Sequence, residues 1–423
     1  MNRRIEAFCK TAAMMSLAIL FSTVARAAEP AAAGKGDSMT YRQAKDFLSQ
    51  HTKVVELTDG AAARVLVCPE YQGRVMTSTC DGEDGASLGW INRAFIEAGK
   101  PSAQFNNYGG EDRIWLSPEG GQFSLWFAPG VKQEFANWFT PPALNEGQFE
   151  PTQSYTKTMA RMHRPMKFTN AAKTPFQVDV ERDVQLLSGG TFGTLFGPQA
   201  AEAVSGGKLK AVGFSSNNTV TNRDGGLSKS RGLVSIWILS MMNSSPETVI
   251  IAPYRAGSEA ELGSIVKADY FGVVPPDRLK ISPEAILFRG DSHYRSKIGV
   301  SQRRVKPIAG SINYRDGILT LVTFDMPANP ADHMYLNNAW DLPQKNPFVG
   351  DVLNSYNDGP PASLGAFYEI ESLSPAVELA PGQSLHHHHV TFHIQGDLPA
   401  LARLAKITLG VDLDKVRAEM LGK

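Results

Sequence analysis

The sequence predicts a mainly β protein: a large antiparallel β-sandwich with short helices near its two ends. From Val54 onward, short runs of alternating apolar and polar residues recur between Gly, Pro, Asn and Asp. That is the pattern of half-buried strands joined by turns. Helical spacing is confined to Thr40–Thr52, a short piece at Pro198–Val204, and the tail Leu398–Leu421. No segment repeats at a fixed period, so neither a propeller nor a solenoid is expected.

Residues 1–27 read as a signal peptide: a basic start (MNRR), an apolar stretch (AAMMSLAILFSTV) and a small-residue cleavage site (ARA). The apolar stretch is too short and too well flanked for a spanning helix, and no later segment is long and apolar enough to span either. The expected location is therefore periplasmic or secreted. Residues 28–38 (AEPAAAGKGDS) read as a disordered small-residue linker. Residues 39–423 are expected to form one β-sandwich domain with a helical tail, because no Pro/Ser-rich stretch or charge run interrupts them. Forty-two basic and 42 acidic residues give zero formal charge, with the two signs interspersed, so no nucleic acid partner is expected. Cys68 and Cys80 remain after cleavage. Export permits a disulfide between them, although they fall on what read as successive strands of one hairpin, not evidently opposite each other.

The first helix is expected at Thr40–Thr52, capped by Ser38 or Thr40. Strands are then expected at VVELTD, ARVLVCP, GRVMTSTC, GQFSLWFAP, KTMARMHRPMKFTN, FQVDVERDVQLL, LVSIWILSM, ETVIIAPY, GILTLVTFDMP, AFYEIESLSP and HHVTFHIQG. The tail is expected as two helices broken near Gly410, the second capped by Asp412.

Four places carry candidate chemistry. The block Asn106–Phe127 sets Glu111, Asp112, Arg113 and Glu119 among Trp115, Phe123 and Trp126, between two glycine pairs. A guanidinium fork held by acids, beside flat indole faces, suits the hydroxyls and C–H surface of a sugar. An internal salt-bridge loop is the alternative. The C-terminal hairpin puts Glu369 and Glu371 on one strand face, and His387, His389, Thr391 and His393 on one face of the next. Such a set supplies an acid–base pair, or a divalent metal site at His387, His389 and His393, although it lacks helical HExxH or CxxC spacing. His386 and His388 point the other way. The segment Tyr335–Asp358 reads as a long loop rich in Asn, Asp, Tyr and Trp, of the kind that binds carbohydrate, or as a surface connection full of Asx turns. FRGDSHYR at Phe288–Arg295 brings His293 and Arg295 to a cleft or, as the better reading, forms a solvated turn. There is no Gly-x-Ser-x-Gly elbow, phosphate loop or dinucleotide fingerprint, so serine hydrolases and nucleotide enzymes are unsupported.

Taken together, VLVCPEYQGRVMTSTCDGEDGASLGWIN and NNYGGEDRIWLSPEGGQFSLWF resemble the opening hairpins and following block of the galactose mutarotase-like superfamily. The GGEDR…W…PEGG, GDVxNSYNDGP and FYExES…H…TxH motifs are similar to those of an uncharacterised exported bacterial family within it. The resemblance covers most of the mature chain. It implies a β-supersandwich with a concave sugar-binding face. Mutarotases of this fold use a glutamate as base and a histidine as acid to open a pyranose ring. By that resemblance Glu371, with Glu369 as second choice, stands for the glutamate. The family's mid-chain histidine has no counterpart in Asn217–Ser228, leaving His387 and His393 as alternatives.

The expected protein is an exported carbohydrate-active one, a sugar epimerase or related enzyme. Glu371 is its base and His387 or His393 its acid, with Arg113, Trp115, Trp340, Asn357 and Asp358 lining the substrate, and Glu111, Asp112, Glu119 and Glu369 beside it. No cofactor is required, and a divalent metal is the only candidate. A non-catalytic carbohydrate-binding protein and a structural partner in a glycan-processing assembly are the alternatives.

Overall fold

Alternation of side chains builds the sheets. In the strand Pro175–Leu186 every second residue from Phe176 to Leu186 is buried and the residues between face outward. Strands that are buried on both faces, such as Arg113–Ser117 and Phe367–Leu373, lie in the interior instead. The structure, a computed structural model, describes residues 39–361 and 363–423. The expected signal peptide and linker lie outside the described residues.

A ten-stranded antiparallel sheet runs in the spatial order Leu279–Ile281, Ala285–Arg289, Thr248–Pro253, Ile308–Asn313, Ile318–Phe324, Ser384–Gly396, Leu209–Asn222, Pro175–Leu186, Met159–Thr169, Glu150–Pro151. A five-stranded antiparallel sheet runs Ser296–Ser301, Asp351–Asn357, Phe367–Leu373, Ser235–Asn243, Arg113–Ser117. The two sheets meet face to face: Ser372 of the smaller lies 2.8 Å from both His387 and His389 of the larger. The protein is thus mainly β, with large antiparallel sheets. A third sheet of three strands, Val55–Thr58, Arg64–Cys68 and Arg74–Thr79, packs Leu66 and Met76 against Tyr41, Phe47 and Leu48 of the first helix.

That helix is Tyr41–Ser49, and Thr40 and Gln43 close a capping box at its start. The tail forms Leu398–Thr408 and Leu413–Leu421, capped by Asp397 and Asp412. Leu401 and Leu404 pack on Val390 and Phe392. The tail thereby covers the face of the large sheet that points away from the sandwich interior.

Four expectations need correction. GQFSLWFAP is not a strand. The Ser124 hydroxyl accepts the N–H groups of Trp126 and Phe127, and this local bonding replaces a ladder. The strand of that block is Arg113–Ser117 instead. Leu209–Asn222, the longest strand, gave no sequence signal, because its SSNN run has turn composition. Ser216 and Asn218 of that run are buried by Asp112 and Arg182, which hydrogen-bond them. Tyr335–Asp358 is not wholly a loop, since Asp351–Asn357 pairs on both sides in the five-stranded sheet. Finally, Cys68 and Cys80 are free and buried. Cys68 pairs with Arg74, while Arg64 at the other end of the same strand pairs with Thr79, so Cys80 lies a whole strand away.

Candidate functional site

The five-stranded sheet places one row of side chains after another on its outward face. Residues Met241, Glu369, Tyr356 and Lys297 are neighbours across four strands, and Arg113, Leu239, Glu371, Asn354 and Gly299 form the next row. Trp115 and Trp237 are paired in the row beyond. These rows floor a cavity of about 620 Å³. Its walls come from connections: Phe105, Glu119, Phe135 and Trp138 on one side, Tyr270 and Phe271 on another, and Trp340 on a third. The size and the aromatic lining are those of a small-molecule site.

Glycines bring those connections close. A Cβ on Gly109 would lie 2.2 Å from the Trp90 carbonyl oxygen, and its φ of +89° is also one that glycine tolerates. A Cβ on Gly120 would lie 2.2 Å from the Ala339 carbonyl oxygen. The first contact seats the start of the Arg113 strand, and the second sets Glu119 beside the Trp340 loop.

The polar groups in the floor are paired. Arg113 donates to Glu369 at 2.8 Å, and its guanidinium lies 4.2 Å from the Trp115 ring centre. Its Nε and Nη1 are buried without a partner among the described residues. Lys297 donates to both oxygens of Glu371, at 3.1 and 2.9 Å, and the Trp237 indole N–H donates to the same carboxylate at 2.9 Å. The Trp138 indole donates to Glu119 at 2.8 Å. Burial pushes the Glu369 carboxyl up to about 7, with Arg113 opposing the rise and Glu371 adding to it. Burial raises Glu119 as well, against the pull of Lys297. For Lys297 burial acts downward, but the nearby Glu371, Glu119 and Glu369 outweigh it and hold the ammonium above its ordinary range. A buried ammonium thus sits among three carboxylates, two of which take up protons more readily than usual.

Several expected site residues do line this cavity: Arg113, Trp115, Glu119, Trp340 and Glu369. Glu371 lies directly beneath it, fully buried under Lys297. The histidines are elsewhere. Strand alternation turns Ser372, not Glu371, toward the large sheet, and Ser372 meets His387 and His389 there. His393 lies between Thr320 and Glu111, at 2.9 and 2.7 Å. Glu371 and the three histidines are therefore on opposite faces of the small sheet and do not form a pair. His387 and His389 share a serine while His393 holds Glu111, and among the described residues no group of three His, Cys, Asp or Glu is placed to hold a metal ion.

Glu111 and Asp112 also point away from the cavity. Asp112 is ion-paired with Arg182 and accepts from Ser216 at 2.9 Å, between the sheets. Asn357 and Asp358 lie next to the cavity but act on loops. Asn357 accepts from Ser292 N–H and donates to the Tyr294 carbonyl, both at 2.9 Å. Asp358 accepts from Tyr356, Ser363, Leu364 and Gly365.

A family model described as a family of unknown function, DUF6786, matches residues 39–420. The chain belongs to this family. No curated protein matches the DUF6786 chain. Among solved structures it is similar to an Escherichia coli K12 protein described as a candidate aldose 1-epimerase, with 12% identity and a TM-score of 0.48, covering 82% of this chain and 99% of that one. It is also similar to a galactose mutarotase-like protein from Lactobacillus casei, with 10% identity and a TM-score of 0.43 over 81% and 99% of the two chains. A galactose mutarotase related enzyme from Lactobacillus acidophilus matches at 8% identity and a TM-score of 0.42, over 82% and 97%.

Among the cavity residues of this DUF6786 chain that sequence reasoning missed are Trp138, Trp237, Tyr270, Lys297 and Tyr356. Trp237 and Tyr356 carried a usable signal. Each sits at an alternate position of a strand whose neighbour supplies an acid, Glu371 and Glu369 respectively. Arg295, set aside with its solvated turn, also lines the cavity, whereas the neighbouring His293 side chain is 57% exposed beside Asp291.

Proposed function

We propose that this is a carbohydrate-active protein of the galactose mutarotase-like type, and that the cavity over the five-stranded sheet holds a pyranose. The sequence resemblance supports the type. The observation that carries the site is the placement of Glu119 and Glu369 in one aromatic cavity around Lys297. Indole faces suit the C–H surface of a sugar ring, and buried charged groups suit its hydroxyls. Interconverting the anomers of a pyranose needs one group to take the anomeric hydroxyl proton and another to protonate the ring oxygen. Two carboxyls whose proton affinities are raised, one protonated and one not, supply both roles near neutral pH. Glu369 is assigned as one member and Glu119 as the other; Glu371 holds Lys297 in place. This replaces the glutamate–histidine pair expected from sequence.

A non-catalytic sugar-binding protein is the second reading, favoured by one observation: each floor carboxylate already has a cation or an indole on it. We also propose export, on the charge, apolar and small-residue pattern of residues 1–27.

Anomer exchange by NMR, over a panel of free monosaccharides, tests the reading together with calorimetric binding. The enzyme reading expects faster exchange for the wild type, and a Glu369→Gln variant that still binds sugar but exchanges it at the uncatalysed rate. Saturable binding without exchange selects the second reading. Absence of saturable binding for every sugar overturns both.

A further inference from the structure

We infer that the pyranose taken by this cavity is an acidic one, a uronic acid whose carboxylate docks on Arg295; this rests on the sugar-site reading above. Arg295 lines the cavity from the loop just before Ser296–Ser301, the edge strand of the five-stranded sheet. Its Nε donates to the Tyr356 hydroxyl at 3.0 Å, and Tyr356 in turn donates to Asp358 at 2.7 Å. Its guanidinium lies 4.1 Å from the centre of the Phe271 ring and 5.7 Å from that of Phe135. One side of the fork is thus fixed and the plane is supported by aromatic rings. The two terminal nitrogens have no hydrogen-bond or ion-pair partner among the described residues.

The contrast with the other arginine of the cavity is informative. Arg113 is already engaged, donating to Glu369 at 2.8 Å, and is 3% exposed. Arg295 makes no ion pair among the described residues, its one side-chain hydrogen bond going to the Tyr356 hydroxyl, and it is only partly buried. Aromatic rings beside the guanidinium leave its edge as the approach, and two N–H groups on one edge match the two oxygens of a planar carboxylate. Lys267 adds a second cation to the lining, 4.4 Å from the Tyr270 ring centre, with Asp269 in the same lining and Asp351 near enough to feel its charge. Tyr356 and Glu369 are direct cross-strand partners, so the Tyr356 strand alone lies between the edge strand that follows Arg295 and the strand of the carboxyl assigned to the ring chemistry. The loop that carries Arg295 is fixed by Asn357, which bonds Ser292 and Tyr294. This gives the FRGDSHYR segment a purpose that a solvated turn does not.

The test compares glucuronate and galacturonate with their methyl esters and with glucose and galactose, by calorimetry on the wild type and on Arg295→Gln and Arg295→Lys. The inference expects a uronate to bind about ten-fold or more tighter than its ester, an advantage that shrinks in Arg295→Lys, disappears in Arg295→Gln, and falls as salt is raised. If uronate, ester and neutral sugar bind the wild type alike, the inference fails while the sugar-site reading stands. An advantage that persists in Arg295→Gln also overturns it. If nothing in the panel binds, both fail together. Circular dichroism and thermal melting of the variants separate a lost site from a lost fold.

Discussion

Glu371 and His387 stand on opposite faces of the strand Phe367–Leu373. Glu371 faces the cavity and receives Lys297 and the Trp237 indole, both at 2.9 Å. The next residue, Ser372, faces the sandwich interior and meets His387 at 2.8 Å. One step along a strand reverses the face, so an acid and a histidine on consecutive strands are separated by the sheet itself.

The Lys297–Glu371 pair is buried on both sides, with the lysine side chain 9% and the glutamate 0% exposed. Removing one partner leaves the other charged and desolvated. Lys297→Met is therefore expected to cost about 3–5 kcal/mol of unfolding free energy. The double variant Lys297→Met, Glu371→Gln is expected to recover part of that loss. Denaturant melts of the two single variants and the double variant measure the coupling; simple additivity would show that the charges do not depend on each other.

Glu369 gives a pH signature. Its carboxyl is pushed up to about 7 by burial, above its unfolded value, so the folded protein holds a proton that the unfolded chain has released. Stability from this group is full below the unfolded value and falls as pH rises toward 7, by roughly 3 kcal/mol at most. Glu369→Gln cannot ionise and is expected to lack that fall. Unfolding free energies of both proteins between pH 4.5 and 8 give the comparison.

His387 and His389 work in the other direction. Burial lowers them to about 3 and about 4. The unfolded chain takes up protons there before the folded one does, so stability is full above about 6.5 and is lost as pH falls through the acid range. Replacing His389 with Gln is expected to flatten the acid limb of the stability curve. An unchanged limb would mean that other groups dominate acid unfolding.

Gly109→Ala tests the seating of the cavity floor. The added Cβ meets the Trp90 carbonyl at 2.2 Å on a backbone with φ of +89°. A loss of about 2 kcal/mol or more is expected in thermal or denaturant unfolding. Gly82→Ala is the control, since its φ of +70° imposes similar backbone strain but nothing lies within 4 Å of the new carbon. The difference between the two isolates the contact.

Much of the fold was legible because it rests on local patterns. The helix after Thr40, the tail broken near Gly410 and strands such as Pro175–Leu186 all follow from spacing and caps. Leu209–Asn222 was not legible. Its buried Ser216 and Asn218 satisfy Asp112 and Arg182, and no local pattern reveals a polar interior. The same applies to the site. Arg113, Trp115, Glu119, Trp340 and Glu369 were recognised by residue type, and they do line one cavity. Glu111 and Asp112 share that type and sequence block, yet they are bound by His393 and Arg182 in the interior. Lys297 was missed because a single lysine in a strand becomes meaningful only when register sets it over Glu371.

The placement of a sugar is the most direct test of the account. Crystals of the protein soaked with a bound monosaccharide are predicted to show the ring in this cavity beside the partly buried Trp340, with a hydroxyl or the ring oxygen within about 2.6–3.2 Å of Glu369. A sugar seated elsewhere on the molecule, with this cavity left to solvent, would contradict it.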